Sequence, residues 1–236
     1  MKIDLEVAAF SVCAGVAAWF VLIPLITSIP RGLLKNWRQQ SGIFSELEID
    51  SESKYLSQLT FGNRVGFSLI AAMIGFLVFQ IRGVSQETAF LVGYLLCLLL
   101  LATINWRSML LPDDIVLPIL WVGLIYSASV GQGADRIYGA AMGFSIVWLL
   151  HWSHKHFSGK EGIGRGDMKV FAMSGAWLGL GATVTLILVW SVFGFLMAIG
   201  MKVLGFKLGD EHNPGYVPTG VMHLVASLVW ILGFRV

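Results

Sequence analysis

Long apolar runs alternate with short polar ones along most of the 236-residue chain. Residues 5–27 are apolar apart from Glu6, residues 65–81 carry no charge, and residues 88–104 are rich in leucine. Further apolar runs follow at 115–130, 137–152, 170–200 and 217–234. About 20 apolar residues in helical form match the hydrocarbon thickness of a bilayer. The pattern therefore predicts an all-α fold, a polytopic transmembrane helical bundle of about eight spans and at least six. Residues 170–200 are too many for one ordinary span and tight for two. The cluster Gly175, Gly179 and Gly181 predicts a bend near the first third of that run. Gly139 and Gly143, four apart, predict a place where another helix packs closely. The first run is longer than a signal-peptide core and lacks a clear small-residue cleavage site, so it predicts a retained span.

The polar segments set the topology. Placing residues 28–64, 105–114, 153–169 and 201–216 on one side leaves only Lys2, Arg82, Arg136 and Arg235, of sixteen Lys and Arg, on the other. Positive residues favour the cytoplasm, so the segments 105–114 and 162–169 are expected to face it together, on one side where they could meet. Residues 28–64, with Arg31, Lys35 and Arg38 before Glu46, Glu48, Asp50 and Glu52, are expected to form a solvated cytoplasmic loop. Residues 131–136 form an expected glycine-marked turn.

Composition narrows the class further. The chain is 56% hydrophobic and 13% charged, about half the charged share of a soluble domain. No large soluble domain fits, and residues 1–236 read as a single integral-membrane domain. A net charge of +2 gives no reason to expect nucleic acid. Cys13 and Cys97 lie in apolar runs and form no CxxC pair, which points to neither a disulfide framework nor a zinc site. No cofactor is indicated. His151, His154 and His156 surround Lys155 and read as polar interfacial side chains rather than metal ligands. Trp106 and Trp152 read as interfacial anchors.

Gly162-Ile163-Gly164-Arg165-Gly166-Asp167-Met168-Lys169 puts a carboxylate among glycines at the mouth of an apolar run. A carboxylate there is costly without water, a partner or a reaction, so it is a candidate functional site. The plainer alternative is a solvated carboxylate in the first turn of a helix. Two carboxylates meeting at a membrane face would suggest aspartyl proteolysis, with one protonated and the other ionised.

Gly164-Arg165-Gly166-Asp167 fits the GxGD signature of intramembrane aspartyl proteases. Leu110-Leu111-Pro112-Asp113 with the run 115–123, residues 159–169 and Gly175-Ala176-Trp177 together resemble type IV prepilin peptidases. Ile29-Pro30-Arg31 extends the likeness upstream, and it is strongest over residues 99–181. The resemblance implies an aspartic endopeptidase of the inner membrane that cuts short basic leader peptides from prepilin or pseudopilin substrates, with its site facing the cytoplasm. By the same resemblance Asp167 matches the second catalytic aspartate, and Gly164, Gly166 and Lys169 are expected substrate contacts.

The first aspartate of the family falls at position 105, where this chain has Asn105. Asparagine keeps the size and still forms hydrogen bonds, but it cannot ionise. Three accounts stay open: a disabling substitution that traps a stable form, a natural non-catalytic relative, or a variant dyad using Asp113 or Asp114. The first is favoured because asparagine is the smallest disabling change. Many family members also carry paired CxxC motifs after the first span and methylate the new pilin N-terminus. Residues 28–64 hold neither Cys nor His, so a zinc module and methyl transfer through it are not expected. Val217-Pro218-Thr219-Gly220 matches the family's Pro-Phe-Gly-Pro element only loosely, and no role follows from it. The rival readings are a prepilin-binding assembly component that does not cut, and a transporter, which no internal repeat supports.

Overall fold

The computed structural model describes residues 5–26, 28–30, 32–33, 59–159, 163–203 and 218–233. Most of the expected loop 28–64, together with Gly162 and the polar segment before Pro218, lies outside the described residues. Among those described there are eight helices and no strand, so the all-α expectation holds. The chain divides into two units, Met1–Pro112 and Asp113–Val236.

In the first unit α1 (Leu5–Ala17) runs into a π-helical turn, Ala18–Leu22, in which the Ile23 N–H reaches back to the Ala18 carbonyl. Pro24 follows, and a proline's ring and missing N–H disfavour a regular turn before it. Helix α2 (Phe61–Arg82) packs along α1 where small residues allow close approach. A Cβ on Gly15 would stand 3.1 Å from the Ser68 carbonyl oxygen, and one on Gly75 would stand 3.1 Å from Ala14 Cβ. The rings of Phe10 and Phe79 close the same seam at 5.2 Å. Thr60 caps α2 by accepting the Asn63 N–H at 3.4 Å, and Ser85 caps α3 (Gln86–Ser108) by accepting the Thr88 N–H at 3.1 Å. Along α3 the side chains of Tyr94, Leu95, Leu98 and Ile104 are fully enclosed.

The second unit holds α4 (Asp113–Ser129), α5 (Gly133–Ser158), α6 (Arg165–Leu178), α7 (Leu180–Val203) and α8 (Gly220–Gly233). The expected glycine contact is present. Gly139 and Gly143 of α5 lie against the backbone of α6, where an added Cβ would meet the Gly179 carbonyl carbon and the Phe171 carbonyl oxygen, each at 2.6 Å. The expected bend falls at Gly179, whose φ of 88° ends α6 and lets α7 start at the next residue. Gly181 has nothing near its Cβ position and takes no part in the bend.

Two boundaries differ from the sequence reading. Helix α5 begins at Gly133, inside the expected turn, because Arg136 is buried rather than solvated. Its Nη1 donates to the Trp177 carbonyl at 2.7 Å and its Nη2 to Gln132 Oε1 at 2.6 Å. Nearby, Asp135 Oδ2 accepts the Leu180 N–H at 3.4 Å, serving the first turn of α7. At its other end α5 continues through His156 and Lys155, cations that suit a helix C-terminus, and stops at Gly159 with φ 67°.

Among the described residues four helical stretches are long and apolar enough to cross a bilayer: Leu5–Pro30, Phe61–Arg82, Gln86–Ser108 and Leu180–Met197. Helices α4 and α6, of 17 and 14 residues, rise only about 25 and 21 Å at 1.5 Å per residue. Leu188, Val192, Phe195 and Leu196 of α7 point outward, as on a helix whose outer side meets lipid.

Candidate active site

The head of α6 is built by Gly164 as N-cap, with φ −67° and ψ 143°. That is ordinary extended backbone, so Gly164 does not use the freedom unique to glycine, and Gly166 sits inside the first helical turn. Asp167 follows in the same turn, where the helix dipole favours a carboxylate. Its N–H closes back on the Gly164 carbonyl at 3.1 Å. The side chain is not the solvated carboxylate of the plainer alternative: Asp167 is only 1% exposed.

A buried carboxylate needs a partner, because desolvation costs several kcal/mol, on that order, when it is left alone. The partner is His223 of α8, whose Nε2 lies 3.1 Å from Asp167 Oδ1, with both side chains 2% exposed. Phe171, one turn along α6, meets the His223 ring edge-on at 4.5 Å, and Trp190 of α7 lies 5.8 Å from it. Three helices therefore converge on this imidazole. The sequence motifs do not single out His223. The available signal was an ionisable side chain inside an apolar run, the same signal that marked Asp167. The loosely matched Pro218-Thr219-Gly220 opens the helix that carries it, and the His223 N–H donates to the Thr219 carbonyl at 3.2 Å.

The other expected site residues have distinct surroundings. Lys169 Nζ donates to Asp113 Oδ2 at 2.5 Å, joining the heads of α6 and α4. Both side chains stay partly exposed, at 36% and 49%. Asn105 lies in the last turn of α3 and is buried. Its Nδ2 donates to the Leu110 carbonyl at 3.4 Å, while its own carbonyl accepts the Met109 N–H at 2.8 Å. Met109 takes the left-handed conformation, φ 54°, that ends α3. Asn105 belongs to the first unit and Asp167 to the second.

The histidines of α5 are divided between tasks. His151 Nδ1 lies 2.7 Å from the Ile163 carbonyl and ties the end of α5 to the approach of α6. His156 stacks on Trp152 at 5.2 Å. Among the described residues no three His, Cys, Asp or Glu side chains gather as a metal-holding group.

Residues 92–199 match the Type IV leader peptidase family. The chain is similar to the prepilin leader peptidase/N-methyltransferase of Aeromonas hydrophila, 36% identical over 57% of this chain and 46% of that protein. The protein of the same name from Escherichia coli (strain K12) is 37% identical over 58% of this chain and 63% of its own length. That of Pectobacterium carotovorum subsp. carotovorum is 39% identical over 50% and 42%. The chain thus spans about half the length of these curated relatives. No solved structure matches it. The matched segment contains Asn105, Asp113 and Asp167 together, and it is over these residues that the chain is similar to the type IV leader peptidase family.

Proposed function

We propose that this chain is a leader-peptidase-type aspartic endopeptidase of the inner membrane whose hydrolytic step is disabled as written. It takes the basic leader of prepilin-like proteins at the cytoplasmic face and holds it without cutting. The observation that carries this reading is that Asp167, inside the matched segment, is the one buried carboxylate among the described residues and is partnered, with Asn105 at the place of the family's first aspartate. The names of the relatives supply the substrate class. The excess of Lys and Arg on the side shared by both motif blocks supports the cytoplasmic orientation.

Hydrolysis by two carboxyl groups needs one of each state. The ionised member takes a proton from water as it attacks the peptide carbonyl, and the protonated member gives a proton that ends on the leaving amine as the C–N bond breaks. Asn105 is a neutral stand-in for the protonated member. It can donate a hydrogen bond to a carbonyl but has no proton to surrender. Substrate is thus held while the reaction stalls. A variant dyad through Asp113 is disfavoured, because Lys169 already holds that carboxylate. Methyl transfer through a zinc module is not proposed, since residues 28–64 contain neither Cys nor His.

The test is a peptide with a basic leader followed by an apolar helical segment, presented to the chain in proteoliposomes. The reading expects the peptide to co-purify intact. Cleavage by the chain as written, or no binding at all, overturns it.

A further inference from the structure

Among the described residues the buried His223 is the ionisable side chain paired with Asp167, and two-carboxylate chemistry does not use it. The bland account is that it merely satisfies a buried carboxylate. The surroundings of the ring say more. Phe171 packs edge-on to it at 68° between planes, and Phe171 and Trp190 are themselves edge-to-face at 5.5 Å. The imidazole is thus clamped by apolar contacts from α6 and α7, and the direction of Nε2 is fixed before any polar contact forms. That nitrogen meets only one carboxylate oxygen, Oδ1, at 3.1 Å. Among the described residues Oδ2 makes no hydrogen bond. A carboxylate is free to rotate about its last bond unless one oxygen is pinned.

We propose that His223 is a positioning residue for Asp167, pinning Oδ1 through Nε2 so that Oδ2 is left aimed as the working oxygen. The inference rests on the peptidase-type reading of the site for its consequence in catalysis, while its geometry stands apart from that reading. A misplacement of about 1 Å in a reacting group costs on the order of a hundredfold in rate.

Two measurements decide it. In the Asn105→Asp chain, His223→Ala should lower kcat for leader cleavage by about a hundredfold with KM nearly unchanged. His223→Gln, whose amide can still donate, should recover most of that loss. Equal kcat for His223→Ala and its Asn105→Asp parent, or a loss in KM alone, overturns the proposal. If Asn105→Asp does not cleave, the peptidase-type reading fails, and the proposal is decided in the chain as it exists. Nitrogen-15 histidine NMR in micelles resolves five histidines. Asp167→Asn should move the His223 Nε2 signal and leave those of His154 and His156 in place. An unmoved His223 signal overturns the pairing itself.

Discussion

The sharpest structural consequence concerns the crossing of α5 and α6, because it decides where Asp167 is held. Replacing Gly139 by alanine places a Cβ 2.6 Å from the Gly179 carbonyl carbon and 2.8 Å from the Gly175 carbonyl oxygen. Carbon atoms in ordinary contact lie about 3.5–4.0 Å apart, so the helices must part by roughly 1 Å. Every obstacle is backbone and cannot turn aside. Overpacking of this kind costs about 1–3 kcal/mol, and the upper end applies here. The separation also loosens the bond from Thr183 Oγ1 to the Gly139 carbonyl, now 3.3 Å, at about 1 kcal/mol. Alanine's better helix propensity returns about 1 kcal/mol. The net loss is therefore about 3 kcal/mol. Gly181→Ala is the control, since nothing lies within 4 Å of its Cβ position; it should be neutral or slightly stabilising. Reversible unfolding in mixed micelles, followed by tryptophan fluorescence, reads both. Equal stability of the two variants would refute the close-packing argument.

Arg136→Met should destabilise the second unit by about 3 kcal/mol in the same assay, because it strips the Trp177 carbonyl at the end of α6 of a charged donor. A change below about 0.5 kcal/mol would mean that the carbonyl finds another partner. Lys169→Ala should cost no more than about 1 kcal/mol, since its pair with Asp113 is partly exposed. Asp113→Asn should leave leader cleavage by the Asn105→Asp chain largely intact; loss of that cleavage would restore the variant dyad.

Much of the second unit was legible because its signals are local. Four-residue glycine spacing marks one face of a helix whatever packs there, so Gly139 and Gly143 could be read without a partner. Gly179 broke the long run for a reason contained in its own backbone. Asp167 was visible from its motif, although its burial was not. Arg136 and His223 were missed because their roles depend on contacts 41 and 56 residues away in sequence. Glycines flanking Arg136 suggested a turn, yet the carbonyl exposed at the end of α6 draws its side chain inward. His223 looked like one polar residue in an apolar last span, and nothing local shows which neighbour that face meets. The loop 28–64 was read mainly from what it lacks, and residues 34–58 fall outside the described structure.

The central claim is that Asp167 belongs to a peptidase site lacking only its first carboxylate. Asn105→Asp supplies that carboxylate, and a protonated aspartic acid can still donate to the Leu110 carbonyl as Asn105 Nδ2 does. Leader cleavage should be assayed in proteoliposomes for the chain as written, for Asn105→Asp, and for Asn105→Asp combined with Asp167→Asn. The account predicts cleavage by Asn105→Asp alone, several powers of ten above the other two, because loss of one member of a catalytic pair costs on that order. Cleavage by the chain as written, unchanged by Asn105→Asp, would contradict it.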